Sequence, residues 1–209
     1  MKIVKPSIEI LDSINGEEIL KKLEFAGRTC YKSESNITLE SAKKFIKSIL
    51  DNGHHSVIEH VNISVKVICD RGVTHEIVRH RLASYSQEST RYCNYSKDKF
   101  GNEITVIEPC FWQGGTANEI TKGAAWHEAM ILAERTYLKL IELGASPQEA
   151  RSVLPNSLKT ELVMTMNLRE WKHFFTLRTS SKAHPQMQEV AKMILVEFKK
   201  LVPVVFDDI

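Results

Sequence analysis

Two stretches of strict alternation constrain this chain most. Val61, Ile63, Val65 and Val67 alternate with Asn62, Ser64 and Lys66, and Thr160, Leu162, Met164 and Met166 alternate with Glu161, Val163 and Thr165. A side-chain period of two is the mark of a strand with one face buried and one wet. The segments around them keep the helical period instead, and helices and strands do not alternate regularly. The expectation is therefore an α+β fold, a mixed or antiparallel sheet packed with helices, rather than a doubly wound one. The chain has 209 residues, which suits a single domain over 1–209. At that length roughly 70 % of the unfolded surface can be buried, so no covalent staples are needed.

The remaining elements are read from caps and periodicity. Ile3 to Ile10 reads as one strand interrupted by Pro6. Asn15 caps a helix running to about Gly27, and Thr38 caps a second with Ala42, Phe45, Ile46, Ile49 and Leu50 inward, stopped by Gly53. Val73 to about Leu82 reads as a helix with Glu76, Arg79 and His80 on one side, followed by a polar loop from Ser84 to Lys99. Asn102 to Ile107 is a short strand. Asn118 to Leu143 is a long helix burying Ala125, Met130, Ala133, Tyr137, Leu140 and Ile141, with Gly144 as its stop. Ser146-Pro147-Gln148-Glu149 is a capping box, and Asn167 caps a helix with its acid, Glu170, three residues on; that helix reaches Arg178. A polar link from Thr179 to His184 precedes a last helix from Pro185, with Met187, Val190, Ala191, Ile194, Phe198 and Leu201 in period.

Charge narrows the function classes. Lys and Arg total 28 against 26 Asp and Glu, a net charge of +2. That balance argues against a general nucleic-acid or membrane-surface protein. No apolar run reaches membrane-spanning length and the start, Met1 to Pro6, has no apolar core of a signal, so the expected location is cytoplasmic. The four cysteines, Cys30, Cys69, Cys93 and Cys110, form no C-x-x-C pair, which disfavours a zinc site. His54, His55 and His60 cluster with Glu59, but the H-x-x-E-H spacing is missed by one residue. His75-Glu76 lacks the second His of H-E-x-x-H. No metal is expected.

The chemistry concentrates in Arg79 to Tyr92. These fourteen residues hold three Arg, one His, three Ser, a Thr, a Gln, a Glu and two Tyr. Guanidinium groups grip phosphates and carboxylates in paired hydrogen bonds, and hydroxyls and backbone N–H groups complete such a cradle. The plain alternative is a solvated basic helix end and a polar loop. Two further readings compete: an Arg- and Tyr-rich module that binds nucleotide or RNA without catalysis, and a His-rich metallohydrolase. No Gly-x-Gly-x-x-Gly occurs, so an ordinary dinucleotide fold is absent.

The spacing Arg79-His80-Arg81, seven residues, Ser89, extended by Thr90-Arg91-Tyr92, resembles the flavin-dependent thymidylate synthases. Four more segments are similar to that family in the same order: Gly53-His54, Ser56 and Glu59-His60; Arg151 with Leu154-Pro155; Asn167-Leu168-Arg169; and Leu177-Arg178. The resemblance implies conversion of dUMP to dTMP, with 5,10-methylenetetrahydrofolate as carbon donor and FAD reduced by NADPH. It implies a homotetramer whose sites draw on several subunits. By position, Ser56, Arg79, His80, Arg81, Gln87, Asn167, Arg169, His173 and His184 would contact FAD. Glu76, Arg79, Gln87, Glu88, Ser89, Thr90, Arg91, Arg151 and Arg178 would contact dUMP. Arg178 and His54 would be catalytic, His54 near flavin and folate. Glu76 stands where many members have Gln, Cys30 where Ser is common and His173 where Asn is frequent, and two extra residues lie between Arg178 and His184. A guanidinium at Arg178 suits stabilisation of the N3-ionised pyrimidine. Ser89 has no base beside it in sequence and reads, with Arg91, as a phosphate ligand rather than a nucleophile.

Overall fold

The computed structural model describes every residue except Ile14 and Leu39. In chain order its elements are β1 (Lys2–Val4), β2 (Ser7–Ile10), α1 (Gly16–Thr29), α2 (Ser41–Asp51), β3 (Asn62–Asp70), α3 (Arg71–Ile77), β4 (Ala83–Gln87), β5 (Thr105–Ile107), α4 (Ala117–Glu142), α5 (Pro147–Ala150), β6 (Lys159–Asn167), α6 (Leu168–Arg178), α7 (Pro185–Leu201) and α8 (Pro203–Phe206). The order β2-β3-β6-β4 forms one sheet, and β1 pairs in parallel with β5, Lys2 opposite Thr105 and Val4 opposite Ile107. The N–H of Leu168 bonds the carbonyl of Val61, and that of Arg71 the carbonyl of Leu158, so β3 and β6 run antiparallel. The expected α+β class, a mixed sheet packed with helices, is what forms.

The chain divides into two compact units. The first comprises Met1–Ser7, Val67–Ile77 and Ser86–Leu162. Its core gathers Tyr95, Ile104, Val106, Met130, Tyr137, Ala150 and Leu158. Tyr137 is fully buried and its hydroxyl accepts the Tyr95 N–H at 3.3 Å, so the polar tip is satisfied inside the core. α4 opens on a complete capping box, Thr116 with Glu119, and α5 on a second, Ser146 with Glu149. The terminal ammonium of Met1 is held by Glu103 at 2.8 Å and Glu134 at 2.9 Å.

The second unit comprises Ile8–Lys66, Val78–Tyr85 and Val163–Ile209. Trp171, Phe174 and Phe175 from α6, Phe198 from α7 and Phe206 from α8 pack as edge-on, tilted and stacked rings 4.7–5.6 Å apart, all fully buried. Trp171 donates its indole N–H to the Ile63 carbonyl at 3.1 Å. α1 and α2 meet at Gly27, where an added Cβ would fall 2.6 Å from Cε1 of Phe45. Gly53 ends α2 at φ +77°, the left-handed stop that its position in the sequence demands.

Several expectations are corrected. Pro6 splits the Ile3–Ile10 strand into β1 and β2, which belong to different sheets. α2 is capped at Glu40 rather than Thr38; the Ser41 hydroxyl instead accepts the Thr38 N–H. The helix expected to reach Leu82 ends at Ile77, and Val78 is 43 % exposed. Ser84–Gln87, the start of the expected loop, belongs to a strand, Ala83–Gln87, because the Glu88 N–H pairs with the Glu161 carbonyl at 2.8 Å and draws the segment onto β6. Residues 78–82 are then needed for the turn, so Glu76, Arg79 and His80 never share a helix face. In α4, Met130 and Tyr137 are buried as expected, but Ala125 is exposed.

Candidate functional site

In the second unit the turn after α3 and the C-terminal half of α6 enclose a cleft of about 620 Å³. Arg79, His80, Arg81, His173 and Arg178 line it, with Lys182 from the link after α6. Its volume lies in the range of sites for small ligands. The α6 residues reach it because Asn167 caps the helix: its Oδ1 accepts the Glu170 N–H at 2.9 Å, fixing where the first turn starts.

His80 organises the floor. Only 4 % of it is exposed. Its Nδ1 lies 3.0 Å from Oε1 of Glu170, and its Nε2 lies 3.1 Å from Nε of Arg178. A guanidinium nitrogen only donates, so Nε2 must accept, and Nδ1 must carry the proton that Glu170 receives. The ring is therefore neutral. Burial is the main reason its pKa is lowered; the Glu170 hydrogen bond works against the shift, and the charge of Arg178 adds to it. Phe174 and His173 meet the ring edge-on at 5.0 and 5.7 Å, and Tyr85 donates its hydroxyl to the His80 carbonyl at 2.7 Å. Burial, with the charge of Glu170, pushes the Tyr85 phenol up to about 12.

His80, Glu170 and His173 offer ligand atoms within 4.8 Å of one another. Both nitrogens of His80 are already engaged, and a guanidinium abuts Nε2. The arrangement is that of a hydrogen-bonded chain from carboxylate to imidazole to guanidinium.

In the first unit a second group surrounds the end of β4. The side-chain amide of Gln87 donates to Oγ1 of Thr74 at 3.1 Å and Oγ1 of Thr160 at 3.3 Å. Ser89 and Thr90 start a tight turn in which the Arg91 N–H donates to the Ser89 hydroxyl at 3.3 Å. Arg151 reaches the Thr90 hydroxyl at 3.5 Å, and Arg91 donates to Gln148 at 2.9 Å. Both arginines are exposed, and an anion with better acceptors can draw them away from these neutral partners.

The alternation of β4 sends Glu88 the other way from Gln87. Its carboxylate accepts from Tyr95 at 2.9 Å and from Lys159 at 3.0 Å, inside a separate cleft of about 460 Å³. Lys159 also pairs with Glu161 at 2.6 Å, and the hydrogen bonds to Glu161 and Glu88 outweigh burial and raise its pKa. Glu76 sits half-buried near the end of α3.

The other predicted residues of the second unit are more open. His54 precedes a tight helical turn, His55–His60, and its Nδ1 lies 3.4 Å from the Tyr31 hydroxyl. Ser56 is exposed on the same turn. Arg169 pairs with Glu59 at 2.6 Å, both well exposed, a contact of little energetic weight. His184 is exposed immediately before α7.

Sequence reasoning missed Glu170, Tyr85 and Lys159 as site-shaping residues. Glu170 occupies the acid position of a capping pattern, and that pattern alone assigns its carboxylate to the helix N-terminus. Complete capping boxes occur at Thr116 and Ser146, whereas at Asn167 the carboxylate goes to His80 instead.

The family profile described as thymidylate synthase complementing protein matches residues 10–204. A flavin-dependent thymidylate synthase of Pyrococcus furiosus is 34 % identical over 179 residues, covering 85 % of this chain and 71 % of that protein. Another, from Mycolicibacterium gilvum, is 34 % identical over 220 residues, covering 97 % and 84 %. Among solved structures, a UMP/dUMP methylase from Streptomyces cacaoi, bound with 5-Br dUMP, superposes with a TM-score of 0.81 at 23 % identity, covering 99 % of this chain and 96 % of its own, a likeness of fold. A cleft walled by arginine and histidine, a helix-borne guanidinium and similarities over most of the chain lead to one conclusion: the chain belongs to the flavin-dependent thymidylate synthase family.

Proposed function

We propose that this protein methylates dUMP to dTMP, taking the carbon from 5,10-methylenetetrahydrofolate and reducing equivalents from NADPH through bound FAD. The reading rests on the chain's family and on one observation, the Arg178 guanidinium held at the cleft by a neutral imidazole. The residues present suit FAD. Arg79, Arg81 and Lys182 supply cations for a pyrophosphate, and Leu82 and Leu177 supply apolar surface for a flat ring system. Bound FAD supplies a hydride donor, which no side chain can.

The chain's own residues then bind, orient and polarise. Arg178 favours the N3-ionised pyrimidine, which raises electron density at C5, the carbon to be methylated. Ser89, Thr90, Arg91 and Arg151 hold the nucleotide phosphate, with hydroxyls and guanidiniums as donors. Gln87 is fixed by Thr74 and Thr160 and presents its amide to the nucleotide or flavin. His54 and Ser56 stand on the folate and flavin side, and Asn167, Arg169, His173 and His184 complete the cofactor contacts. Glu76 contacts the nucleotide. Glu88 shapes the phosphate turn from beneath through Lys159 and Tyr95. No enzyme nucleophile is required, and Ser89 lacks a base among its described hydrogen-bond partners. We further read the protein as a cytoplasmic homotetramer, with nucleic acid and membrane as non-partners.

Colour is the first test. Purified protein reconstituted with FAD is expected to be yellow, to bleach on anaerobic addition of NADPH and to regain colour in air. A protein that stays colourless and takes up no FAD contradicts the reading.

A further inference from the structure

We infer that Glu170 is a positioning residue that sets the direction of the Arg178 guanidinium through the imidazole of His80. This rests on the reading of Arg178 as the cation that faces the pyrimidine.

The geometry carries the inference. Glu170 accepts from Nδ1 of His80, and Nε2 accepts from Nε–H of Arg178. The imidazole is a neutral spacer. It holds Nε of the guanidinium by a hydrogen bond and places the Glu170 carboxylate on the far side of the ring.

The chain works only in one tautomer. With the proton on Nδ1, Nε2 accepts. With the proton on Nε2, two donors meet and Arg178 is turned away. Nothing in imidazole itself secures the first form; the carboxylate does, in the way a triad carboxylate fixes its histidine. Only 4 % of His80 and 8 % of Glu170 is exposed, so water competes weakly for the bond between them. Phe174 and His173 press the ring from the side, and Tyr85 holds the His80 carbonyl, which leaves the tautomer as the freedom that Glu170 removes.

The test pairs Glu170→Ala with Glu170→Gln, both checked for native circular dichroism. Selective 15N labelling of histidine reads the tautomer directly, with no need for turnover. In the native protein His80 is expected as the Nδ1–H form with an unprotonated Nε2; finding Nε2–H there overturns the proposal whatever the variants do. Glu170→Ala is expected to shift His80 to the Nε2–H form and to lower kcat for dTMP formation by about tenfold or more, with KM for dUMP changing less. Glu170→Gln keeps an acceptor for Nδ1–H and is expected to restore the native tautomer and most of the rate. An Ala variant with the native tautomer, or with kcat within about twofold of the native value, also overturns it. Should the native protein form no dTMP, the proposed function fails while the tautomer measurement still decides the Glu170–His80 part.

Discussion

At the residue scale, the decisive fact is that a buried histidine serves as an acceptor. Its pKa is depressed, so its linkage to stability has a definite sign. Above its ordinary value of 6.5 the ring is neutral in both folded and unfolded chains. As pH falls below that value the unfolded chain binds a proton that the folded form refuses. Stability is therefore lost on acidification through this window, until the depressed native pKa is reached. The groups facing the ring are Glu170, Arg178, His173 and the Tyr85 hydroxyl. Only Glu170 favours the cation, and its effect is outweighed by burial. The urea midpoint is expected to drop between pH 7 and pH 5 more steeply in the native protein than in His80→Gln; parallel slopes contradict the neutral assignment. Residue identity in the site was readable from sequence wherever an unusual spacing carried it, as in Arg79-His80-Arg81 and Ser89. Direction was not. Gln87 and Glu88 are adjacent and both polar, and only the pleat of β4 shows that Glu88 turns to Lys159 and Tyr95.

At the element scale, α6 is the piece on which function hangs. It carries Glu170, His173 and Arg178 to the cleft and buries Trp171, Phe174 and Phe175 in the aromatic core, where Trp171 and Phe175 meet Phe198 and Phe175 also meets Phe206. Removing the Phe175 ring leaves a cavity among four aromatic neighbours, which costs roughly 3–5 kcal/mol. Phe175→Ala is thus expected to lower the urea midpoint sharply and to weaken flavin retention, because the helix that presents Arg169 and His173 loosens. A midpoint near the native value refutes this account of α6. Such elements were legible because their pattern is strong: Asn167 as cap, Pro185 at the start of α7, and alternation in β3 and β6. α3 and β4 were not. In Ala83–Gln87 only Ala83 and Tyr85 alternate with Ser84 and Ser86, too short and polar a pattern to betray a strand, and pairing with β6 imposes what local preference does not.

At the scale of the whole molecule, two compact units each bring a distinct donor set. The second supplies Arg79, His80, Arg81, His173 and Arg178 around one cleft; the first supplies Ser89, Thr90, Arg91 and Arg151 around a turn. The class of fold follows from periodicity alone, but the sheet order β2-β3-β6-β4 does not. Pairing between strands almost a hundred residues apart is chosen by tertiary burial. A single turnover tests the proposed reaction most directly. Enzyme reduced with NADPH is mixed anaerobically with dUMP and 5,10-methylenetetrahydrofolate, and dTMP is measured together with flavin absorbance. The prediction is one dTMP for each flavin reoxidised, with Arg178→Ala retaining flavin but forming dTMP at least about a hundredfold more slowly. Flavin that stays reduced over unchanged dUMP, or an Arg178→Ala variant as fast as the native protein, contradicts it.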